Sequence, residues 1–235
     1  MSQAATITLP DNRAVLSTAA LAFVAGFVDV VGFVALFGLF TSHVTGNFVV
    51  LGSEIVHAQA GMLAKVLALP VFAAAVAIVR LAVLYHEQRG WAPARTLILA
   101  QTLILALFML GGVAIAPVVN PDALGPLLVG MTGVAAMAVQ NAAGRLVFAA
   151  RAPTTIMTGN TTQVVIDLID INRSDVELRA KARQRLQLML PSIIAFAIGA
   201  VAGAYGYIYW SFWCLIAPIT GLIVAAMLSE PTANR

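Results

Sequence analysis

Charge is what this chain has least of. Lys, Arg, Asp and Glu make up 10% of its 235 residues, where a soluble domain carries about 25%. So few charges cannot cover the surface of a domain in water. Hydrophobic residues reach 61% and the mean hydropathy is +0.95, which suits lipid as the solvent. Cysteine is nearly missing as well: Cys214 stands alone, so an internal disulfide is excluded. Residues with the spacing of a metal site are absent, and His43 and His57, which flank one segment, form none. No Ser/His/Asp set, cysteine pair or phosphate loop occurs, so neither an enzyme nor a cofactor is expected. The stretch from Met1 to Asn12 lacks a basic n-region and a clear cleavage site, so no cleaved signal peptide is expected. The net charge of +3 does not call for nucleic acid, because basic loops on the cytoplasmic face of a membrane protein give the same balance.

What is there is a series of apolar segments. Eight stand out, at about 14–38, 43–57, 63–85, 95–116, 123–149, 155–170, 186–207 and 210–228. The chain is read as a tail at 1–13, a first membrane repeat at 14–116, a second at 117–228 and a tail at 229–235. The repeat rests on four coincidences in one order. Thr45-Gly46-Asn47 opens the second segment and Thr158-Gly159-Asn160 the sixth. An acid follows each asparagine seven residues on, Glu54 and Asp167. Asp29 precedes the first triplet and Asn141, beside Gln140, the second at nearly the same distance. Leu69-Pro70 and Leu190-Pro191 open the third and seventh segments. Transporter repeats often leave a trace of this kind.

Counting crossings selects an arrangement. If all eight segments span, the basic residues scatter over both sides. If the segments at 43–57 and 155–170 re-enter, six helices span. Every Lys and Arg except Lys65 then lies on the side of the termini, as the positive-inside rule requires. Those two segments are also too short to cross about 30 Å of hydrocarbon comfortably. The expected fold is therefore an all-α integral membrane protein with about six transmembrane helices and two short re-entrant half-helices. With three spans in each half, the repeats are inverted, and the two triplets would meet near the bilayer midplane.

The triplets suit a site or a packing device. Thr and Asn accept the free amides of a helix start, Gly permits close approach, and a helix start inside the membrane presents positive dipole to a cavity. Thr45, Gly46, Asn47, Thr158, Gly159 and Asn160 are thus candidates for a substrate or ion pathway; the competing reading makes them caps and interhelical glue. Asp29, with valines on both sides, is a costly group that faces a cavity or a partner. Desolvation would equip it to carry a proton. Gln140 and Asn141 supply hydrogen bonds without titrating. Glu54 and Asp167 are candidate gates, or simply solvated helix ends. Ala195, Gly199 and Gly203 form a small-residue stripe for close packing, internal or in a homodimer. Tyr205, Tyr207, Tyr209, Trp210 and Trp213 read as an interfacial belt, and Arg179, Lys181, Arg183 and Arg185 as a cytoplasmic anchor.

The stretches Gly26-Phe27-Val28-Asp29-Val30-Val31-Gly32-Phe33 and Phe40-Thr41-Ser42-His43-Val44-Thr45-Gly46-Asn47 resemble the first signature of the YoaK-like family. Met137-Ala138-Val139-Gln140-Asn141-Ala142 and Thr154-Thr155-Ile156-Met157-Thr158-Gly159-Asn160 resemble its second. The resemblance covers nearly the whole chain. The family is catalogued as a domain of unknown function, so it brings no substrate. It implies a polytopic protein of the bacterial cytoplasmic membrane, with both termini cytoplasmic on the charge count, whose partners are the bilayer and a small solute or ion. The expected role is transport of that solute, with proton coupling through Asp29 as an option. A passive channel, or a membrane protein acting through a protein partner, remains the alternative.

Overall fold

The computed structural model describes residues 11–57 and 60–228. They form eight α-helices and one 3-10 turn, with no strand among the described residues. In chain order these are α1 (Asn12–Ala35), α2 (Gly46–His57), α3 (Met62–Gln88), α4 (Ala94–Ile115), α5 (Leu124–Leu146), α6 (Met157–Asp170), α7 (Val176–Trp210), the 3-10 turn (Ser211–Leu215) and α8 (Ile216–Leu228). Each expected segment coincides with one helix. The tails expected at 1–13 and 229–235 lie outside the described residues, apart from 11–13, where Asp11 caps α1 by accepting the Arg13 amide at 3.2 Å.

Two boundaries differ from expectation for physical reasons. The first helix stops at Ala35, short of 38, because the chain turns left-handed at Phe37 (φ 52°) and Gly38 (φ 82°). The Gly38 amide closes that turn on the Phe33 carbonyl at 2.8 Å. The seventh helix begins ten residues before 186. Asp175 caps it by accepting the amides of Glu177 and Leu178, and a Glu177–Lys181 ion pair one turn apart supports its polar start. A stretch read as a cytoplasmic loop is therefore mostly helix.

Five stretches are long and apolar enough to cross a membrane: Asn12–Ala35, Met62–Gln88, Ala94–Ile115, Leu124–Leu146 and the run Val176–Met227. The last is too long for one crossing and folds back at Ser211 (φ 50°). Gly206 of α7 lies against Cys214, and Gly221 of α8 returns to the level of Val24 on α1. Phe212 pins the reversal by packing edge-on against Phe108 and Tyr207, with ring centroids 5.7 and 5.5 Å apart. By contrast α2 and α6, at 12 and 14 residues, are only about 20 Å long.

The core runs along α1 and α5, whose apolar windows are 61% and 67% buried, against 17% for α3. These two helices are apolar on every side, as central helices must be. α1 packs on α7 and α8, α5 packs on α3 and α4, and the two groups join where α1 meets α5 and α4 meets α8. The α1–α7 contact is backbone on backbone. Gly199 faces the Phe23 carbonyl, Gly203 the Phe27 carbonyl, and Gly26 the Phe196 carbonyl. The small-residue stripe thus serves internal packing at Gly199 and Gly203. Contacts advance in step along both chains, so α1 and α7 are parallel.

The end of α1 and the start of α3 also meet. The Lys65 ammonium donates to the Phe37 carbonyl at 2.6 Å. Hence the chain between them, α2 included, leaves and returns at one end of the bundle.

A Cβ at Gly199 would overlap the Phe23 backbone, whereas one at Gly52 meets nothing within 4 Å. Gly199→Ala is expected to lower stability by about 1–3 kcal/mol through forced helix separation. Gly52→Ala should leave it unchanged or raise it by about 0.5–1 kcal/mol. Thermal unfolding in detergent, followed by tryptophan fluorescence, checks this; equal midpoints for the two variants would contradict the packing.

Candidate functional site

Two loops, 36–45 and 147–156, each interrupt the chain between a core helix and a short helix and carry buried polar residues, Thr41 and Ser42 on the first and Thr154 and Thr155 on the second. In the first loop Asn47 works as a clamp. Its Oδ1 accepts the Phe40 amide and its Nδ2 donates to the Phe40 carbonyl, both at 2.8 Å. Both backbone groups are so satisfied without water, which lipid-depth backbone requires. The clamp presents Thr41, Ser42 and His43 to α1. There Asp29 accepts the Ser42 amide at 2.7 Å through Oδ1, with longer contacts to the Thr41 hydroxyl and the His43 amide at 3.4 Å. Its Oδ2 lies 2.6 Å from His43 Nδ1. The Asp29 side chain is 5% exposed and that of His43 38%, so the imidazole stands between the carboxylate and the protein surface. The Ser42 hydroxyl is buried without a partner. His43 drew notice in the sequence only as a poor metal ligand. Its pairing with Asp29 depends on how the loop folds back over α1.

The second loop is held in the same way at one of the two points. Asn160 Nδ2 donates to the Pro153 carbonyl at 2.7 Å, at the same sequence spacing as Asn47 and Phe40. Proline has no amide, so the second bond of the first clamp has no counterpart. The loop presents Thr154 and Thr155 to α5. Gln140 Nε2 donates to Thr154 Oγ1 at 3.0 Å and to the Leu21 carbonyl at 2.7 Å, while its Oε1 accepts from Gln101 at 2.7 Å. The Thr155 hydroxyl donates to Asn141 Oδ1 at 2.6 Å, and Asn141 Nδ2 donates to the Met137 carbonyl at 3.1 Å.

The two loops face each other across the core helices. Thr41 contacts the Val28 carbonyl on α1 and lies against Gly133 on α5. Through Gln140, Thr154 is tied to the Leu21 carbonyl on α1. On each helix the two levels are two turns apart, about 10 Å.

The second loop borders a cavity of about 180 Å³ lined by Asn141, Arg145, Arg151, Pro153, Thr154 and Thr155, among others. Arg151 donates to the Ser17 hydroxyl at 3.2 Å and lies over the Phe148 ring, 4.4 Å from its centroid. An adjoining cavity of about 380 Å³ shares Asn141, Arg145 and Ile156 and adds Phe72, Val76 and Arg80.

The other candidates occupy different places. Thr45, Thr158 and Gly159 are exposed on the outer surface, Gly46 is half-buried, and Asn47 and Asn160 are buried. The loops that precede the triplets, rather than the triplets, reach the core helices. Glu54 and Asp167 are not solvated helix ends: they are 3% and 0% exposed. Glu54 Oε1 lies 2.6 Å from Lys65 Nζ, whose side chain is wholly buried. Asp167 accepts from Arg185 Nε at 3.0 Å and from Gln163 Nε2 at 2.9 Å. Each pair ties a short helix to the long helix that follows it. Lys65 had counted only as the one basic residue on the far side. The matching acids seven residues after each asparagine were the sequence signal that a buried cation had to be sought. Among the described residues no group of His, Cys, Asp and Glu is placed to hold a metal.

Residues 17–228 match the model of a family described as a protein of unknown function (DUF1275). No curated protein matches, and no solved structure does.

Lys65→Met would leave the Glu54 carboxylate buried without its cation, its Oε2 being already unpartnered. A loss of about 3–5 kcal/mol in unfolding free energy is expected. The double variant Glu54→Leu with Lys65→Met should recover most of it. Equal losses in single and double variants would show that the pair carries no electrostatic coupling.

Proposed function

The chain belongs to this family of unknown function, and from that premise we propose that it is a multi-pass membrane protein, not an enzyme, that moves a small solute through a centre made by the two polar loops. We place it in the bacterial cytoplasmic membrane with both termini inside, where the positive-inside rule puts all its basic residues except Lys65. In this reading six helices cross, counting α7 and α8 separately. α2 and α6 are re-entrant, and the halves are inverted repeats.

Several features support the repeat. The helix pairing is unchanged when the halves are exchanged: α1 with α7 and α8 becomes α5 with α3 and α4. The Asn47 and Asn160 clamps exchange, as do the Glu54–Lys65 and Asp167–Arg185 pairs. α2 and α6 are too short to cross, and the chain returns from α2 to the end it left.

The observation that carries transport is the pair of loops. Each brings polar side chains to the core helices, and the two levels are separated by only about 10 Å along α1 and α5. Polar groups at such depth ordinarily mark pathways. Asp29 with His43 is the one titratable pair at this centre, so it carries any proton coupling. A purely structural role is favoured by Asn47 and Gln140, whose bonding capacity is taken up by the chain itself. The polar cavity beside Arg151 weighs against it. A passive channel would share the layout and differ in being indifferent to a proton gradient.

Cysteines at His43 and Ile156, equivalent positions in the two loops, test the arrangement after Cys214 is replaced by alanine. A membrane-impermeant maleimide should reach position 43 only from outside and position 156 only from inside. Labelling of both from one side would refute the inversion. Sealing of both from either side would leave the loops as packing devices and end the transport reading. In proteoliposomes, Asp29→Asn should abolish any dependence of flux on a proton gradient.

A further inference from the structure

We propose that the cavity of the second half is an anion site that takes a small organic acid, its oxyanion head at Arg151, Arg145 and Thr154. The proposal rests on the loop-centred reading above and names the class of its solute.

The argument is one of donors and acceptors. A guanidinium has five N–H donors and no acceptor. Of the five on Arg151, the described residues satisfy one, through Ser17 Oγ at 3.2 Å. Arg151 forms no ion pair with a described residue. Asp11 at the N-cap of α1 adds a favourable charge from beyond ion-pair distance. Arg145, which lines both cavities, has no hydrogen bond or ion pair among the described residues. Thr154 accepts from Gln140, so its own O–H is left to donate.

The side-chain amide oxygens around the cavity are engaged, as is one loop carbonyl. Asn141 Oδ1 takes the Thr155 hydroxyl, Gln140 Oε1 takes Gln101, and the Pro153 carbonyl takes Asn160. No carboxylate lines the cavity. A wall that offers side-chain N–H and O–H donors and almost no free side-chain acceptor favours a negatively charged oxygen cluster over a cation, a sugar or a neutral amide. α6, which begins just past this wall and has no side-chain N-cap, adds its positive end.

Size and polarity define the rest of the ligand. About 180 Å³ has the capacity of about six waters, enough for a carboxylate or phosphate head. The adjoining cavity of about 380 Å³ is walled by Phe72, Val76, Leu146 and Ile156, which suits a compact apolar body. Arg80 stands at its edge, in loose contact with Glu87 at 3.8 Å. Arg80 and Arg145 by themselves would suit mere topology signals; the half-buried Arg151 and the buried Thr154 do not.

Benzoate is the probe, with benzyl alcohol as its neutral counterpart. The full chain is placed in nanodiscs of zwitterionic phosphatidylcholine, and binding is read by calorimetry. Saturable benzoate binding is expected, with benzyl alcohol at least about tenfold weaker, as befits charge-assisted bonds. Arg151→Gln and Arg145→Gln should each weaken benzoate about tenfold, and Arg179→Gln, on the distant polar start of α7, should not. Arg145 has no hydrogen bond or ion pair among the described residues, so its variant keeps the test valid if Arg151→Gln fails to fold. Adding phosphatidylglycerol distinguishes a lipid source. If it displaces benzoate from the native chain but not from the Arg145→Gln chain's residual binding, the same site also takes a lipid phosphate. Benzoate binding no tighter than benzyl alcohol, or unchanged in both arginine variants, would overturn the site. Equilibrium binding requires no translocation, so absent flux with intact binding counts against transport alone. Sided labelling with absent binding counts against the anion site alone.

Discussion

Lipid offers no hydrogen bonds, and an interrupted helix inside it must find partners for its backbone within the protein. Two interruptions dominate this chain, and both are closed by an asparagine seven residues downstream of the backbone it holds. Asn47 takes both polar groups of Phe40, and Asn160 takes the Pro153 carbonyl. The rest of the interior follows from where those clamps put the loops. Thr41 and Ser42 come to rest on Val28 and Asp29, and Thr154 and Thr155 on Gln140 and Asn141. The short helices that leave the loops are then anchored by buried ion pairs, whose desolvation is tolerable only because each charge has its partner at bonding distance. The same close fit sets the scaffold, since α1 and α7 approach so nearly that only glycine fits at positions 26, 199 and 203.

The two halves use similar geometry for different chemistry. The first places a carboxylate under a partly exposed imidazole. The second replaces the carboxylate with Asn141 and the imidazole with Ile156, and brings arginines to the loop. A titratable acid pair stands at one loop and a donor-rich cavity at the other, about 10 Å apart along the core helices.

Much of this was legible in the residues. Scarce charge and the spacing of apolar segments located the eight helices of the described residues, because helices buried in lipid demand long apolar runs. The repeated Thr-Gly-Asn triplets marked the clamps, and the acids after them marked the ion pairs, since a charge inside such a chain is retained only for a reason. The triplet's meaning was not legible. Thr45, Thr158 and Gly159 face outward, and only the asparagines turn in. One-dimensional spacing cannot say which face of a short helix is covered, because that depends on the long helix against which it packs.

Sequence alone thus determined the solvent, the number of helices, the two equivalent interruptions and the residues too polar to be accidental. Tertiary structure decided their partners. His43 joins Asp29, Lys65 joins Glu54, and Arg151 joins Ser17 at the border of the cavity that Thr154 also lines. His43 and Asp29 are separated by a turn whose path rests on left-handed residues at 37 and 38, Glu54 and Lys65 lie on successive helices, and Arg151 and Ser17 are remote along the chain. Local propensity and hydrophobic period act over a few residues. Contacts of this range are set by how α1 and α5 are buried among the other helices, which no short stretch of the chain encodes.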